Sequence, residues 1–484
     1  MKILLAASEA VPFAKTGGLA DVAGTLPQNL KKQDPSLDIR VILPKYKSIQ
    51  DQDLKLEGSF KVKIGPSTKK VTIKSKVFHG VPFYFVQNDS YFHRDGLYGT
   101  CEDAYPDNAA RFALFSQAVL KLLKLIDWFP EVIHCNDWQT GLVPVYLKSI
   151  YSQEKNYQKI RTLLTIHNIA YQGLFEAPEM LTTNLGWDFF TFDQLEFYGK
   201  VNLLKGGIVY ADAINTVSKE YAKEIQTPLY GYGLETVLSF HHKTIHGLLN
   251  GIDYQEWDPA SDSLIYQDYN QLSLEKKKKN KISLLKELNL PYQENIPLVG
   301  IVSRLTYQKG FDLLSEAIDK IMKLNLYLIV LGKGEKIYQD LFISMANKYP
   351  DKLRVKIDFD DPLGHKIYAA SDMFLMPSRY EPCGLGQLIS FRYGCVPIVH
   401  KIGGLSDTVV EFNFEQENQG NGFTFSKFSP FGLLRTIKKA LKTYQDPKIW
   451  SRLAKRGMSL DFSWSRSAKK YIKLYEKIYL AKKT

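Results

Sequence analysis

Short apolar runs alternate along this chain with stretches in which apolar residues recur every third or fourth position. In the first half, Ile3 to Ala7, Ile39 to Leu43, Val81 to Val86, Val132 to Cys135 and Thr162 to Ile166 predict strands, and the polar–apolar alternation from Phe60 to Phe78 predicts a further β-rich run. Between them, Ala109 to Leu125 carries helical spacing. Ala211 to Val217 reads as a strand, Ser218 as an N-cap, and Lys219 to Gln226 as the helix that it opens. A second series follows LLNGID (248 to 253): Leu298 to Val302, Leu326 to Leu331, Met373 to Met376 and Val396 to His400, each succeeded by a helical pattern. This is α/β order. A chain of 484 residues is too long for one ordinary core. The pattern therefore predicts two doubly wound, Rossmann-like domains facing across a cleft, covering 1–245 and 246–462 with a hinge near 243 to 250, and ligand sites at the carboxyl ends of their strands. The last segment, Ser463 to Leu480, has Trp464, Ala468, Tyr471, Leu474, Tyr475 and Ile478 at three and four spacing with lysines opposite, which predicts a helix.

Composition narrows the function classes. Hydrophobic residues make up 45% and charged residues 24%, as in a globular protein, and no apolar run approaches the length of a membrane span. Ile3 to Ala7 is too short for a signal-peptide core and Glu9 interrupts the apolar stretch, so a cytoplasmic protein is expected. The four cysteines, Cys101, Cys135, Cys383 and Cys395, form no CxxC pair and no zinc-like spacing, which predicts free thiols. The net charge of +12 is densest at Lys276 to Lys279 with Lys281, read as the exposed start of a helix. No aromatic RNA-binding signature accompanies it, so neither nucleic acid nor membrane is expected as a partner.

The candidate chemistry sits where strands give way to helices. KTGG (15 to 18) follows the first apolar run: Gly17 and Gly18 would let the backbone approach a ligand, the amides opening the next helix point at negative charge, and Lys15 adds a cation, together suiting a diphosphate. Arg304 and Lys309 lie on the loop leaving Leu298 to Val302 and suit the charge that develops on a leaving diphosphate. Glu381, followed by Pro382 and loosened by Gly384 and Gly386, is held extended and suits sugar hydroxyls or a transient cation. Gly403 and Gly404 offer one more turn of this kind. His134, Asp137 and His167 end strands of the first domain. Asp358 and Asp360 form a DxD, read as a surface acidic cluster rather than a metal site, and HExxH, GxSxG and the P-loop are absent, so no metal is expected.

Together these residues resemble the bacterial and plant glycogen/starch synthase family, retaining glucosyltransferases of GT-B fold. The resemblance runs over essentially the whole chain: KTGGLADV (15 to 22), GLYG with YPDNAARFALFS (96 to 116), NDWQTG (136 to 141), TIHNIAYQG (165 to 173), YGYGLE (230 to 235), LNGID (249 to 253), SRLTYQKG (303 to 310), PSRYEPCGL (377 to 385), GGLSDTV (403 to 409) and DFSW (461 to 464).

The resemblance implies that Lys15, Gly17 and Gly18 contact the phosphates of a nucleotide sugar, with Asp21 on the nucleotide side. It implies that Arg304 and Lys309 hold the diphosphate, and that Glu381 binds the transferred glucose with backbone amides of Cys383, Gly384 and Leu385. His167 would lie beside the sugar and Asp137 beneath the reacting carbon. Asn250 would join the donor-binding set, and Phe359, where the family often has tyrosine, would stack on the base. The 463–484 helix would return to the first domain. The implied reaction is transfer of glucose from ADP-glucose to the non-reducing end of an α-1,4-glucan with retention, by a covalent intermediate on Asp137 or by same-face attack, the second being preferred. No cofactor is implied. The chain departs from the family at Asn136 and Gln139, where the pattern is HDWH, and at Gly386, where threonine is usual and its loss would remove a nucleotide hydrogen bond. The rivals are a UDP-glucose-dependent transferase of the same fold, a non-catalytic glucan-binding protein, and a dinucleotide-dependent dehydrogenase, which lacks a complete GxGxxG because GKGE (332 to 335) stops short.

Overall fold

The computed structural model describes all residues except 101–102, 241–244, 417–418 and 482–484. Cys101 and the first part of the expected hinge, 243–244, thus lie outside the described residues. The chain forms two compact units: Met1–Val217 with Ala222–Leu249 and Trp464–Thr484, and Asn250–Ser463 with Ser218–Tyr221.

The first unit contains β1 (Lys2–Ala6), β2 (Asp38–Pro44), β3 (Lys55–Ile64), β4 (Ser67–Phe78), β5 (Val81–Gln87), β6 (Val132–Asn136), β7 (Arg161–Ile166), a small three-stranded sheet of β8 (Leu174–Glu176), β9 (Glu196–Phe197) and β10 (Lys200–Asn202), then β11 (Ala213–Thr216) and β12 (Ile245–Gly247). The main sheet runs β12-β11-β7-β6-β1-β2-β5-β4-β3. It is parallel from β12 to β5, and its central strands are buried apolar runs, as a sheet covered on both faces demands. From β1 the chain builds outward to β2 and β5, then returns to build β6, β7, β11 and β12 on the other side. The strand order therefore reverses between β1 and β6, where a doubly wound sheet places ligands. The expected β-rich run from Phe60 to Phe78 is two strands rather than one: Gly65, at φ +55°, turns the chain, and β3 and β4 pair antiparallel. The alternation is interrupted from Gly65 to Lys70, and the Gly-Pro-Ser at its start is the local signal of this turn, which the reading of one continuous run passes over.

Helix Trp464–Leu480 belongs to the first unit. Tyr475 Oη lies 2.8 Å from Nδ1 of His134 on β6, Asn215 on β11 donates to Tyr471 Oη at 3.2 Å, and Gln33 donates to Ser465 Oγ at 2.8 Å. Its aromatic face thus meets a buried polar patch that satisfies both tyrosine hydroxyls.

The second unit contains β13 (Leu298–Val302), β14 (Tyr327–Leu331), β15 (Leu353–Lys356), β16 (Met373–Met376), β17 (Val396–His400) and β18 (Phe423–Phe425), all parallel in the order β15-β14-β13-β16-β17-β18. β15 and β18, of four and three residues, are too short to leave a legible apolar run. The order reverses between β13 and β16, the strands that precede the Arg304–Lys309 and Glu381 loops. Helix Phe311–Met322 buries Phe311, Leu314, Ile318 and Met322 against this sheet.

The lysine cluster departs from its expected exposure. Helix Lys277–Glu287 buries Lys277 and Lys281. Lys277 Nζ donates to the carbonyls of Tyr368 and Ala369, at 3.0 and 2.7 Å, capping the carboxyl end of helix Asp361–Ala370, and burial pushes its ammonium down to about 8. Lys281 pairs with Asp372 at 2.7 Å. Lys276, Lys278 and Lys279 are exposed.

Candidate functional site

In the first unit, the loop after β1 leads into helix Gly18–Gln33. Gly17 is extended at φ −155°, and a Cβ built on Gly17 or Gly18 meets nothing within 4 Å. Neither glycine is required by backbone conformation or by packing within the chain, which leaves open space beside the amides that start the helix. Lys15 Nζ lies 2.7 Å from Asp21 Oδ1. The charge that the sequence places at this turn is therefore paired with Asp21. Below the loop lies Glu9, which the motif reading passes over. It is 4% exposed, accepts from the Thr16 N–H, from Thr16 Oγ at 2.9 and 3.0 Å and from Tyr98 Oη at 3.2 Å, and burial raises its pKa.

Asp137 follows β6 in a conformation rare for a residue with a side chain, φ +53° and ψ −172°. Its carboxylate is buried and accepts from the backbone N–H of His167 at 2.7 Å and from that of Asn168. Burial outweighs those bonds and pushes the carboxyl up to about 7, with the charge of Glu9 adding to the rise. His167 is held neutral by burial, its pKa down to about 3. Nε2 of His167 lies 2.9 Å from Oδ1 of Asn136, whose Nδ2 donates to the Ala6 carbonyl at 3.0 Å. That donation fixes the amide, so Oδ1 must accept, His167 carries its proton on Nε2, and Nδ1 keeps its lone pair. The departure at Asn136 thus has a function in the local network. His134 belongs instead to the interior: it is 0% exposed and bound between Tyr475 and Thr165. Gln139 is likewise buried.

In the second unit, Gly310 sits at φ +76°, and a Cβ there would lie 1.9 Å from the Pro377 carbonyl. Only glycine lets the loop after β13 press against the loop after β16, and this contact brings Lys309 to Glu381 at 2.6 Å. Glu381 is 5% exposed and also accepts from Ser378 Oγ at 2.9 Å. The glutamate is thus anchored by a lysine and a serine. Arg304 is exposed and reaches Gln308 Oε1 at 3.4 Å. The two cations share a loop, but only Lys309 meets Glu381.

Beyond Glu381, Gly384 turns at φ +72°, and Gly404 brings helix Gly403–Thr408 so close to Cys383 that a Cβ would meet its carbonyl at 2.0 Å. The amide of Gly404 donates to the Glu381 carbonyl at 3.0 Å. Cys383, Cys135 and Cys395 are free, buried thiols, and burial pushes Cys383 up to about 12. Leu385 precedes helix Gly386–Arg392. A Cβ at Gly386 would face Phe374, Met376 and the Tyr368 hydroxyl at 3.0 to 3.3 Å, so the glycine at this position first relieves packing rather than removing a group aimed at solvent. Asn250 is buried, and its Oδ1 has no hydrogen-bond partner among the described residues. Phe359 is 76% exposed on the turn into helix Asp361–Ala370. Of the DxD carboxylates, Asp360 caps that helix through the Leu363 N–H at 2.9 Å, and Asp358 accepts from the Phe359 N–H at 2.9 Å. No group of three or more His, Cys, Asp or Glu among the described residues could hold a metal. No helix among them is long and apolar enough to cross a membrane.

Residues 2–240 match the family described as starch synthase catalytic domain, and residues 286–457 match glycosyl transferases group 1. The glycogen synthase of Desulforamulus reducens is 47% identical over 99% of both chains, and that of Geotalea daltonii 47% identical over 100% of both. The chain belongs to the glycogen/starch synthase family. Its fold agrees with that of a family member, the catalytic domain of starch synthase IV from Arabidopsis thaliana solved with ADP and acarbose, at 35% identity, a TM-score of 0.89 and 99% coverage of each chain. A sucrose-phosphate synthase from Thermosynechococcus elongatus, at 17% identity and a TM-score of 0.62 over 99% of both chains, shares the fold alone. This glycogen synthase family member is accordingly a glycosyltransferase built from two Rossmann-like domains.

Proposed function

We propose that the enzyme transfers glucose from ADP-glucose to the non-reducing end of an α-1,4-glucan, with retention at the anomeric carbon, in the cytoplasm and without a metal. The observation that carries this reading is the likeness, over 99% of the chain, to a starch synthase catalytic domain solved with ADP and acarbose, a nucleoside diphosphate together with an oligosaccharide. The residues fit those two ligands. Lys15 and the open space beside Gly17 and Gly18 receive the donor phosphates, with Asp21 on the nucleotide side. Arg304 and Lys309 hold the diphosphate and stabilise the charge that grows as it leaves. Glu381 binds the glucose with the amides of Cys383, Gly384 and Leu385, the unpartnered Oδ1 of Asn250 takes a donor hydroxyl, and the exposed ring of Phe359 stacks on the base.

The carboxylate geometry favours same-face attack. Asp137 is tied to two backbone amides, which suits it to stay in place as a fixed charge beneath a carbon acquiring positive charge rather than to move into a bond with it. The bond from the anomeric carbon to phosphate breaks with its electron pair leaving on ADP. The acceptor hydroxyl oxygen forms the new bond on the same face, and its proton passes to the departing phosphate. Nδ1 of neutral His167 accepts from a glucose hydroxyl beside that bond.

With a maltooligosaccharide primer, catalytic efficiency is expected to be higher with ADP-glucose than with UDP-glucose and to be unchanged by EDTA. Initial rates for the two donors, with and without chelator, check this. Greater efficiency with UDP-glucose would reassign the donor, an EDTA-sensitive rate restored by manganese would overturn the metal-free reading, and no turnover with either donor would leave a glucan-binding protein.

A further inference from the structure

Glu9 is a buried acid with no lysine, arginine or histidine within ion-pairing distance among the described residues, placed directly under the loop that carries Lys15, Gly17 and Gly18. Such a group is costly to bury unless its hydrogen bonds are complete. Here they are made almost wholly by the loop above it. The Thr16 N–H and Oγ both donate to the carboxylate, the Gly17 amide faces it, and from the other side Tyr98 Oη donates at 3.2 Å while itself lying 2.7 Å from Ser8 Oγ. The lysine one residue before Thr16 turns instead to Asp21.

We infer that Glu9 is a positioning residue for the donor diphosphate, acting as a buried hydrogen-bond acceptor that clamps Thr16 and so fixes the Lys15 to Gly18 turn. The inference rests on the donor-binding reading proposed above. By taking the Thr16 amide for itself, Glu9 reserves the next amides, of Gly18 and Leu19, which open the helix without intrahelical partners, for the ligand. It also holds both open-sided glycines in place. A Cβ on either glycine would meet nothing within 4 Å, so one face of the turn is open and Glu9 holds it from the other. A pre-ordered loop binds more tightly because the ordering cost is met before the ligand arrives.

The test is ADP binding by calorimetry, together with steady-state kinetics, on the full chain. Glu9→Gln keeps the size of the side chain but sets an amide N–H against the donors of Thr16. The expected result is ADP affinity and donor KM weakened about tenfold, with the glucan KM unchanged and kcat at saturating donor within about threefold of the parent. Thr16→Val, which removes only the Oγ donor, should shift donor KM in the same direction by less, and covers the case in which Glu9→Gln fails to fold. Tyr98→Phe removes a donor remote from the loop and should lower thermal stability while leaving donor KM in place. Parental ADP affinity in Glu9→Gln, or in Thr16→Val if the first does not fold, would overturn the inference, as would Tyr98→Phe weakening the donor equally. Failure of the unmodified chain to bind ADP would instead sink the donor-binding reading itself.

Discussion

Lys309→Ala is expected to lower kcat by about two to three orders of magnitude, the loss typical when one preorganised group is removed from developing charge. It should also destabilise the second unit, because Glu381 is only 5% exposed and Lys309, at 2.6 Å, is its cationic partner. Stranding that carboxylate costs on the order of 3 kcal/mol. The two effects separate in a double variant. Lys309→Met with Glu381→Gln leaves no buried charge, so its melting temperature should return towards that of the parent while turnover stays lost. Kinetics and thermal unfolding of Lys309→Ala, of Glu381→Gln alone and of the double variant check this. Recovery of turnover in the double variant, or near-parental rates in all three, would remove Lys309 and Glu381 from the chemistry.

Asp137→Asn is expected to be more stable than the parent at alkaline pH and far less active. The carboxyl of Asp137 is raised from 3.8 to about 7 by burial. A carboxyl raised in this way favours the folded state in its protonated form. Its contribution is complete below pH 4, declines as pH rises from about 4 to about 7, and above that leaves a penalty of at most about 4 kcal/mol for the ionised group. Asparagine carries no such penalty, keeps an acceptor for the His167 amide, and tolerates the positive φ more readily. The melting-temperature advantage of Asp137→Asn should therefore be small at pH 4.5 and grow to a plateau by pH 8. Turnover should fall by about a hundredfold, because the anion beneath the reacting carbon is gone. A constant advantage across that range would contradict the raised pKa. Unchanged turnover would contradict the catalytic role.

These expectations rest partly on what the sequence displays and partly on what only the fold reveals. The loops after β1, β6, β7, β13 and β16 are legible because doubly wound sheets put chemistry at strand ends, and short motifs carry it there intact. Lys309 and Glu381 can thus be named separately. That they form one buried pair depends on Gly310 meeting Pro377 across 67 residues of sequence, a contact with no local signal. Glu9 is visible only as a charge interrupting an apolar run, because its partners, Thr16 and Tyr98, become neighbours only once the chain is folded. The same limit explains Lys277 and Lys281. A run of lysines looks like a solvated helix start until a helix end 91 residues later supplies the carbonyls that bury it. His134 shows the converse, since a polar strand end that suggests chemistry is the anchor for Tyr475.

The most direct test of the account is to follow, by proton NMR, the product formed from ADP-glucose and a short maltooligosaccharide by the purified chain. The account predicts one new α-1,4 linkage for each ADP released, with the α configuration present from the first turnover. A β-linked product, or ADP released without any new linkage, would contradict it.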